Sequence, residues 1–229
     1  MAVIHHTTMQ PTKLELLTEW LPTRAWYTAT DGGPRPAKAG GFRLDDPAGE
    51  VGIEFMAVTD GTEDGAVVHL VPMTYRGAPL EGAEHALIGT SEHGVLGTRW
   101  IYDGTHDPVL VAQLYALLAG RAEAQHQSVD DTPDPTVAAT LAASAASADA
   151  ADAAELVRAT DGPDHTDIVV RTPGTPAGTG LTLRVRRVLR PGPDTTPAAG
   201  RVTAEWRLPD GTTARGSYTD VLSVEGAAG

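Results

Sequence analysis

The chain has 229 residues, of which 41 % are hydrophobic, with no cysteine and a formal net charge of −13. This composition supports a buried core and excludes global disorder, disulfide bonds and a cysteine nucleophile, and its acidity argues against a general nucleic-acid binder. No apolar run approaches the ~20 residues of a membrane span, and the first residues lack a secretory leader pattern, so we expect a cytoplasmic protein without membrane contact.

Charge divides the chain into three parts. Residues 1–127 hold 8 basic and 16 acidic side chains, residues 128–163 hold 1 and 7, and residues 164–229 hold 8 and 7. We predict an α+β domain over the first part, an acidic Ala-rich linker or helix over the second, and a small antiparallel β domain or sheet extension over the third.

A helix signal opens the first part. Thr12 and Glu15 have the spacing of a capping box, in which each side chain satisfies a backbone N–H at the start of a helix. Leucines then recur on one face until Pro22, which predicts that the helix ends there.

A strand pair follows in the sequence pattern. Residues 51–59 alternate between apolar and other side chains, which predicts a half-buried strand, and residues 66–75 return as its partner after a glycine turn. Pro72 indicates an edge strand or a bulge there. Residues 84–90 and 95–102 predict two more strands.

Asp107 and Pro108 then predict a second helix, with the aspartate as N-cap and the proline at the first helical position. Antiparallel strands between two helices indicate an α+β domain.

The second and third parts have different patterns. Residues 137–157 contain 11 alanines and predict a helix, with a plain alanine-rich linker as the alternative. Residues 168–170, 181–189, 202–208 and 212–224 predict strands with one apolar face and one arginine-rich face.

Aromatic and cationic side chains supply the candidate ligand site. Trp26 and Tyr27 lie near Lys38, and Arg99, Trp100 and Tyr102 follow one another on a predicted strand; the list of candidates is Trp26, Tyr27, Lys38, Arg99, Trp100 and Tyr102. Aromatic rings beside cations suit a sugar or a phosphate. Anchoring of helix ends and a hairpin core are the structural alternatives.

Two further sets of residues are candidates for binding a metal ion or an anion. A metal site from His69, His85, His93 and His106 is a candidate, against ordinary hydrogen-bonded histidines. The basic run from Arg184 to Arg190 suits a phosphate or RNA, a charge-protected exposed strand, or contact with the acidic 128–163 part. No phosphate-loop or dinucleotide fingerprint occurs, so we expect no cofactor, and we predict neither a metal nor a catalytic residue.

Six short motifs follow one another in the first part. They are Glu19-Trp20-Leu21-Pro22, Arg24-Ala25-Trp26-Tyr27, Leu70-Val71-Pro72-Met73-Thr74-Tyr75, His85-Ala86-Leu87-Ile88-Gly89, Ile101-Tyr102-Asp103-Gly104 and Asp107-Pro108. Their order resembles the N-terminal cap domain of actinobacterial maltokinases and related aminosugar kinases over roughly residues 1–125. The resemblance implies a curved antiparallel sheet with flanking helices, cystatin-like in topology, in a domain that carries no catalytic group.

The resemblance also implies where the kinase pattern fails. The sequence nearest to a catalytic H-G-D loop is His165-Thr166-Asp167. It precedes residues 183–193, which resemble the nucleotide-binding strand of the kinases, whereas in the kinases that strand comes before the catalytic loop. The chain also has no asparagine that could bind Mg²⁺. We therefore expect a non-catalytic accessory, regulatory or binding protein in α-glucan or trehalose metabolism, whose partner is a sugar-active enzyme, a sugar or a sugar phosphate. The alternatives are a small sugar- or glucan-active enzyme that uses paired carboxylates, Asp103 with Asp107 or Glu84 with Glu92, and a structural protein–protein interaction module.

Overall fold

Antiparallel strands make up most of the fold. The computed structural model describes residues 9–29, 33–61, 65–127, 132–143, 145, 154–172 and 180–223. Within these residues the chain forms thirteen strands and two short α-helices. The predicted α+β class is confirmed at this level, and the cystatin-like topology stays a prediction.

The helices and strands have the following bounds. The helices are α1 (Lys13–Trp20) and α2 (Pro108–Leu118). The strands are β1 (Met9–Gln10), β2 (Ala37–Leu44), β3 (Gly52–Asp60), β4 (Val67–Arg76), β5 (Leu87–His93), β6 (Gly97–Asp103), β7 (Gln125–His126), β8 (Ala138–Leu141), β9 (Glu155–Asp161), β10 (His165–Arg171), β11 (Leu181–Arg186), β12 (Gly200–Arg207) and β13 (Thr213–Ser223).

These strands join one antiparallel sheet that does not close into a barrel. Its order is β1-β5-β6-β4-β3-β2-β12-β13-β11-β10-β9, with β7 added to β2 and β8 added to β12. The step from β2 to β12 consists of one Cα pair, Gly40 with Trp206. A second link forms where the Leu70 N–H donates to the Arg187 carbonyl. The strands of the third predicted part thus continue the first sheet, while the division into folding units stays a prediction.

Both helices begin at the side chains that the sequence indicates. Thr12 accepts the backbone N–H of Glu15, and the Glu15 carboxylate accepts the Thr12 N–H at 2.7 Å, so the capping box is complete. Asp107 accepts the N–H of Val109 at 2.9 Å, with Pro108 at the first helical position. Neither helix in the described part of the chain has the length and hydropathy to cross a membrane.

The central strand β3 buries side chains on both of its faces. Phe55 and Ala57 face a large core that includes α2 and the strands after residue 164. Met56 and Val58 face a second core that includes α1. The prediction that this strand is half-buried is wrong, because α1 covers the face that an antiparallel sheet often leaves to water.

Pro72 lies in an interior strand. β4 pairs with β3 along its length and with β6 from Met73 onward. On the side of β4 that faces β6, the Leu70 N–H donates to the Arg187 carbonyl. The backbone nitrogen of Pro72 faces the same side, because N–H directions alternate along a strand, and it lies between Arg187 and the start of the pairing with β6. The missing N–H of Pro72 therefore removes no hydrogen bond of the sheet. The prediction of an edge strand or bulge at Pro72 is wrong.

The strand β2 has no counterpart among the predicted strands. Gly41 has φ +125°, and a Cβ there would lie 1.9 Å from the Phe55 carbonyl oxygen, so glycine is required for the close approach of β2 to β3. Gly40 lies at a register shift in the same pairing. Tertiary packing therefore forms a strand from a segment with weak local β propensity.

The alanine-rich segment is extended where the structure describes it. Residues 138–141 form β8, which pairs with β12, and β9 begins at Glu155. The predicted helix over residues 137–157 is wrong at both ends, since the advantage of alanine in a helix is only a few tenths of a kcal/mol per residue and the sheet ladder outweighs it. Residues 144 and 146–153 lie outside the described residues.

The predicted strands of the third part are confirmed as β10 to β13. Leu183 and Val185 of β11 are buried, whereas Arg184 and Arg186 lie on the other face, so the apolar and arginine-rich faces are also confirmed. Arg187 follows the end of β11 and is fully buried, in contrast to its two arginine neighbours.

Candidate functional site

Trp26 and Tyr27 belong to the second core. Trp26 is 1 % exposed and packs edge-on against Trp20, with ring centroids 5.7 Å apart. Tyr27 donates its hydroxyl to Asp60 at 2.6 Å, and its ring lies 5.3 Å from that of His69. Trp26 is closed to a ligand in this structure, and its packing fits the alternative of an anchored helix end.

Lys38 lies close to a buried carboxylate, Glu54. Burial lowers the pKa of Lys38, and the Glu54 carboxylate opposes that shift. Glu54 accepts hydrogen bonds from Lys13 at 2.6 Å, from Tyr75 and from Gln127. Burial acts to raise the pKa of Glu54, but the Lys13 ammonium and the three hydrogen bonds outweigh it and hold the pKa below its ordinary value. This cluster joins α1 to β3 and β4.

The remaining three candidates lie on β6. Trp100 and Tyr102 alternate with Ile101, which packs in the core of Trp26, so they face the opposite side of the sheet. Tyr102 is buried and its hydroxyl accepts the Leu80 N–H at 2.9 Å. The six predicted ligand residues therefore do not form one site, and a binding role for the accessible Lys38, Arg99 and Trp100 stays a prediction.

Two of the four candidate metal-binding histidines meet. Nε2 of His85 lies 3.1 Å from Nδ1 of His106 with the rings nearly perpendicular, a distance at which one ring nitrogen can donate a hydrogen bond to the other. Burial lowers the pKa of His69 in the second core, and His93 accepts N–H groups of its own hairpin turn. In the described residues no cluster of three or more histidine or acidic side chains is placed to hold a metal ion.

Arg187 forms a buried charged network between the two halves of the sheet. Its guanidinium donates to Asp103 at 2.5 Å, to Thr105 at 2.9 Å and to Thr166 at 2.7 Å. It also lies 4.7 Å from the ring centroid of Trp26. The prediction that Arg187 belongs to an exposed basic strand is wrong, because β11 ends one residue earlier and the chain turns inward.

Two other arginines of that run, Arg184 and Arg186, form ion pairs with aspartates. Arg184 donates to both oxygens of Asp167 at 2.7 and 2.8 Å. Arg186 donates to Asp220 at 2.8 Å and to Asp194. These partners lie outside residues 128–163. Asp130, Asp131, Asp149 and Asp152 of the acidic part lie outside the described residues, so the contact of the run with that part stays a prediction. The pairing also leaves little free positive charge for a phosphate or RNA.

A cavity of about 350 Å³ opens beside these ion pairs. Its polar wall includes Asp164, Arg186, Arg190, Asp194, Thr195 and Ser217. The sequence analysis singles out Arg186 and Arg190 as part of the basic run, but the cavity also needs side chains from distant segments, which no local pattern brings together.

The carboxylates considered for glycoside chemistry have other roles. Asp103 binds the buried guanidinium, and Asp107 accepts from Arg76 at 2.6 and 2.7 Å while it caps α2. Glu84 and Glu92 accept local hydrogen bonds at the surface. A general acid needs a raised pKa. The described carboxyl groups with a shifted pKa all shift downward, namely Glu15, Glu54, Glu84, Asp164, Asp167, Asp194 and Asp210.

Comparison with known families gives one match. Residues 20–107 match the model of the maltokinase N-terminal cap domain. The matched segment runs from the last residue of α1 to the N-cap of α2 and contains β2 to β6. The match confirms the resemblance that the short motifs indicate. A comparison with curated proteins gives no match.

Proposed function

Starting from this match to the maltokinase N-terminal cap domain, we propose that the chain is a non-catalytic accessory or regulatory binding protein. Its partner is a sugar-active enzyme of α-glucan or trehalose metabolism. The observation that carries the proposal is the match itself, because it covers the part of the chain that folds as β2 to β6 around two cores.

The chemistry of the matched segment supports a scaffold role. Asp103, Asp107 and Glu54 are buried, and each is held by a cation within the protein. A carboxylate buried in such a pair is fixed in place and needs its partner, because removing that partner leaves an uncompensated charge, whereas glycoside hydrolysis needs a carboxyl group that can protonate a leaving group. The paired-carboxylate enzyme therefore has no support from these groups.

Exposed apolar side chains in the matched segment form a surface that a protein partner could cover. Val95 is 63 % exposed and Leu96 is 44 % exposed at the turn between β5 and β6. Large apolar side chains in water contribute to association when a partner covers them. Val157 on β9, at 45 % exposure and outside the matched segment, is a matched control.

The test titrates the purified chain into a purified maltokinase and into enzymes that build or cleave α-glucan or trehalose. We expect saturable association with one of them by calorimetry, together with a change in its kcat/KM. The double variant V95S/L96S should weaken that association at least about tenfold, and V157S should leave it within about twofold. Absence of association with every enzyme of the panel would refute the proposal.

The interaction-module alternative makes a different prediction. It requires a free arginine-rich face, yet Arg184 is paired with Asp167, and Arg186 with Asp220 and the loop residue Asp194. If charge reversal at these two arginines abolished a salt-sensitive association while V95S/L96S did not, the alternative would replace the accessory role.

A further inference from the structure

The cavity beside the arginine-rich face lies outside the segment that matches the cap domain. Its volume is about 350 Å³, near the lower end of the range of small-molecule sites, roughly 300–1,000 Å³. The segment between β11 and β12 forms much of its wall, together with Asp164 before β10 and Ser217 of β13. A ligand here would not depend on the partner proposed above.

The lining is charged but balanced. Two guanidinium groups, of Arg186 and Arg190, face two carboxylates, of Asp164 and Asp194. An anion would gain from the arginines and lose to the aspartates, and a cation would do the reverse. The balance therefore favours a ligand with no net charge.

One wall of the cavity is fixed in place. Arg186 is held by Asp220, which is buried, and by Asp194 on the loop. Asp194 also accepts the N–H of Thr196 at 2.8 Å, and the Gly192 N–H donates to the Arg215 carbonyl at 2.9 Å. A wall fixed in this way loses little freedom when a ligand binds, which favours affinity.

The opposite side retains capacity for a ligand. The Arg190 side chain is 76 % exposed, and its ion pair within the described residues is a long one, 3.7 Å to Asp164. Asp164 is 38 % exposed, and its hydrogen bond with His165 holds its pKa below the ordinary value, which keeps it an acceptor. Ser217 donates to Asp220 at 3.0 Å, so its oxygen can still accept.

From these groups we infer that the cavity binds a neutral polyhydroxylated small molecule of mono- or disaccharide size. Each hydroxyl of such a molecule both donates and accepts, so adjacent hydroxyls bridge an aspartate acceptor and an arginine donor with charge-assisted bonds. Val188 and the two prolines of the Pro191–Pro193 turn add apolar surface for the C–H face of a sugar ring.

The test uses the full chain and measures binding of glucose, maltose and trehalose by calorimetry and by ligand-observed NMR. Inorganic phosphate and glucose 6-phosphate serve as anionic probes. The variants are R190A and D164N, both at exposed positions of the cavity, with R171A as the matched control because Arg171 is 59 % exposed in an ion pair away from it. Thermal unfolding shows whether each variant is folded.

We expect at least one neutral sugar to bind in the millimolar range or below. R190A and D164N should each weaken it at least about tenfold, as expected for a lost charge-assisted hydrogen bond, and R171A should leave it within about twofold. Three results would overturn the inference: no saturable sugar binding, binding unchanged in R190A and D164N, or displacement of the sugar by inorganic phosphate at lower concentration. Association with an enzyme partner is measured separately, so the two proposals fail independently.

Discussion

Replacing Arg187 with methionine removes a fully buried guanidinium and keeps an unbranched side chain of similar length. Asp103, which is 2 % exposed, then loses its counter-charge in the core. Removing one partner of a buried ion pair costs about 3–5 kcal/mol, because the other charge stays buried without compensation. The contact with the Trp26 ring adds up to about 2 kcal/mol when desolvated.

That loss is large beside the total stability of a domain, about 5–15 kcal/mol. Urea unfolding followed by circular dichroism measures it, with the slope of the transition checked for two-state behaviour. The control is R171A, which breaks the exposed pair of Arg171 with Glu155, at 59 % and 66 % exposure. Exposed pairs contribute about 0–1 kcal/mol, so the control should change little.

A double-mutant cycle separates the ion pair from packing. D103N keeps an acceptor for the Thr105 N–H and removes the charge. If the buried pair dominates, R187M with D103N costs less than the sum of the single variants, by about 1–3 kcal/mol. A loss below about 1 kcal/mol in R187M, or additive single variants, would refute the assignment of Arg187 and Asp103 as a coupled buried pair.

Three further predictions test local geometry and charge. G41A places a Cβ 1.9 Å from a carbonyl oxygen, so we expect the free energy of unfolding in urea to fall by more than about 3 kcal/mol. The control G49A, where a Cβ would meet open space, should lower it by about 1 kcal/mol. Equal losses in the two variants would contradict the close approach of β2 to β3. D107A removes the N-cap of α2 and the ion-pair partner of Arg76, so it should lower the free energy of unfolding, measured by calorimetry, by about 2 kcal/mol or more. D107N keeps a capping oxygen and should lower it by about half as much. The pKa of Glu54 is lowered in the folded protein, so its ionised form contributes stability that is present above the ordinary value of 4.5 and is lost as pH falls below it. The Tm of the wild type should therefore fall more steeply than that of E54Q as pH is lowered below 4.5, and parallel curves would contradict this.

The sequence predicts the elements whose signals are local. Thr12 with Glu15, and Asp107 with Pro108, mark helix starts because a cap involves side chains within one turn of the backbone they satisfy. The alternation in β11 and β12 is likewise readable, because one face of each strand is buried and the other is polar. The helix starts and the alternation in β11 and β12 are predicted correctly because residues close in sequence determine them.

Long-range packing decides the elements and groups that the sequence does not predict. β8 is a strand because β12 lies beside it, although two of its four residues are alanine. β2 exists because Gly41 lets two backbones meet. Arg187 and Arg186 are neighbours of the same type, and only the course of the chain after β11 puts one in the core and the other at the cavity.

The candidate site follows the same rule. The six ligand candidates share only their residue types and their proximity in sequence, and alternation along β6 places Trp100 and Ile101 on opposite faces. The cavity combines Asp164 with Ser217, which lie 53 positions apart in the sequence. A single sequence carries no signal for such a meeting.

The contacts of Gly40 with Trp206 and of Leu70 with Arg187 join the two halves of the sheet, so they bear on whether the segment that matches the cap domain can fold as a separate fragment. A fragment that ended at residue 127 would keep Asp103 in its interior without Arg187, and the Leu70 N–H would lose its carbonyl acceptor. It would also uncover the large core, which takes side chains from both sides of the predicted boundary. The segment that matches the cap domain therefore shares its core with the rest of the sheet, and we expect the whole chain to melt in one transition that the excised fragment does not reproduce.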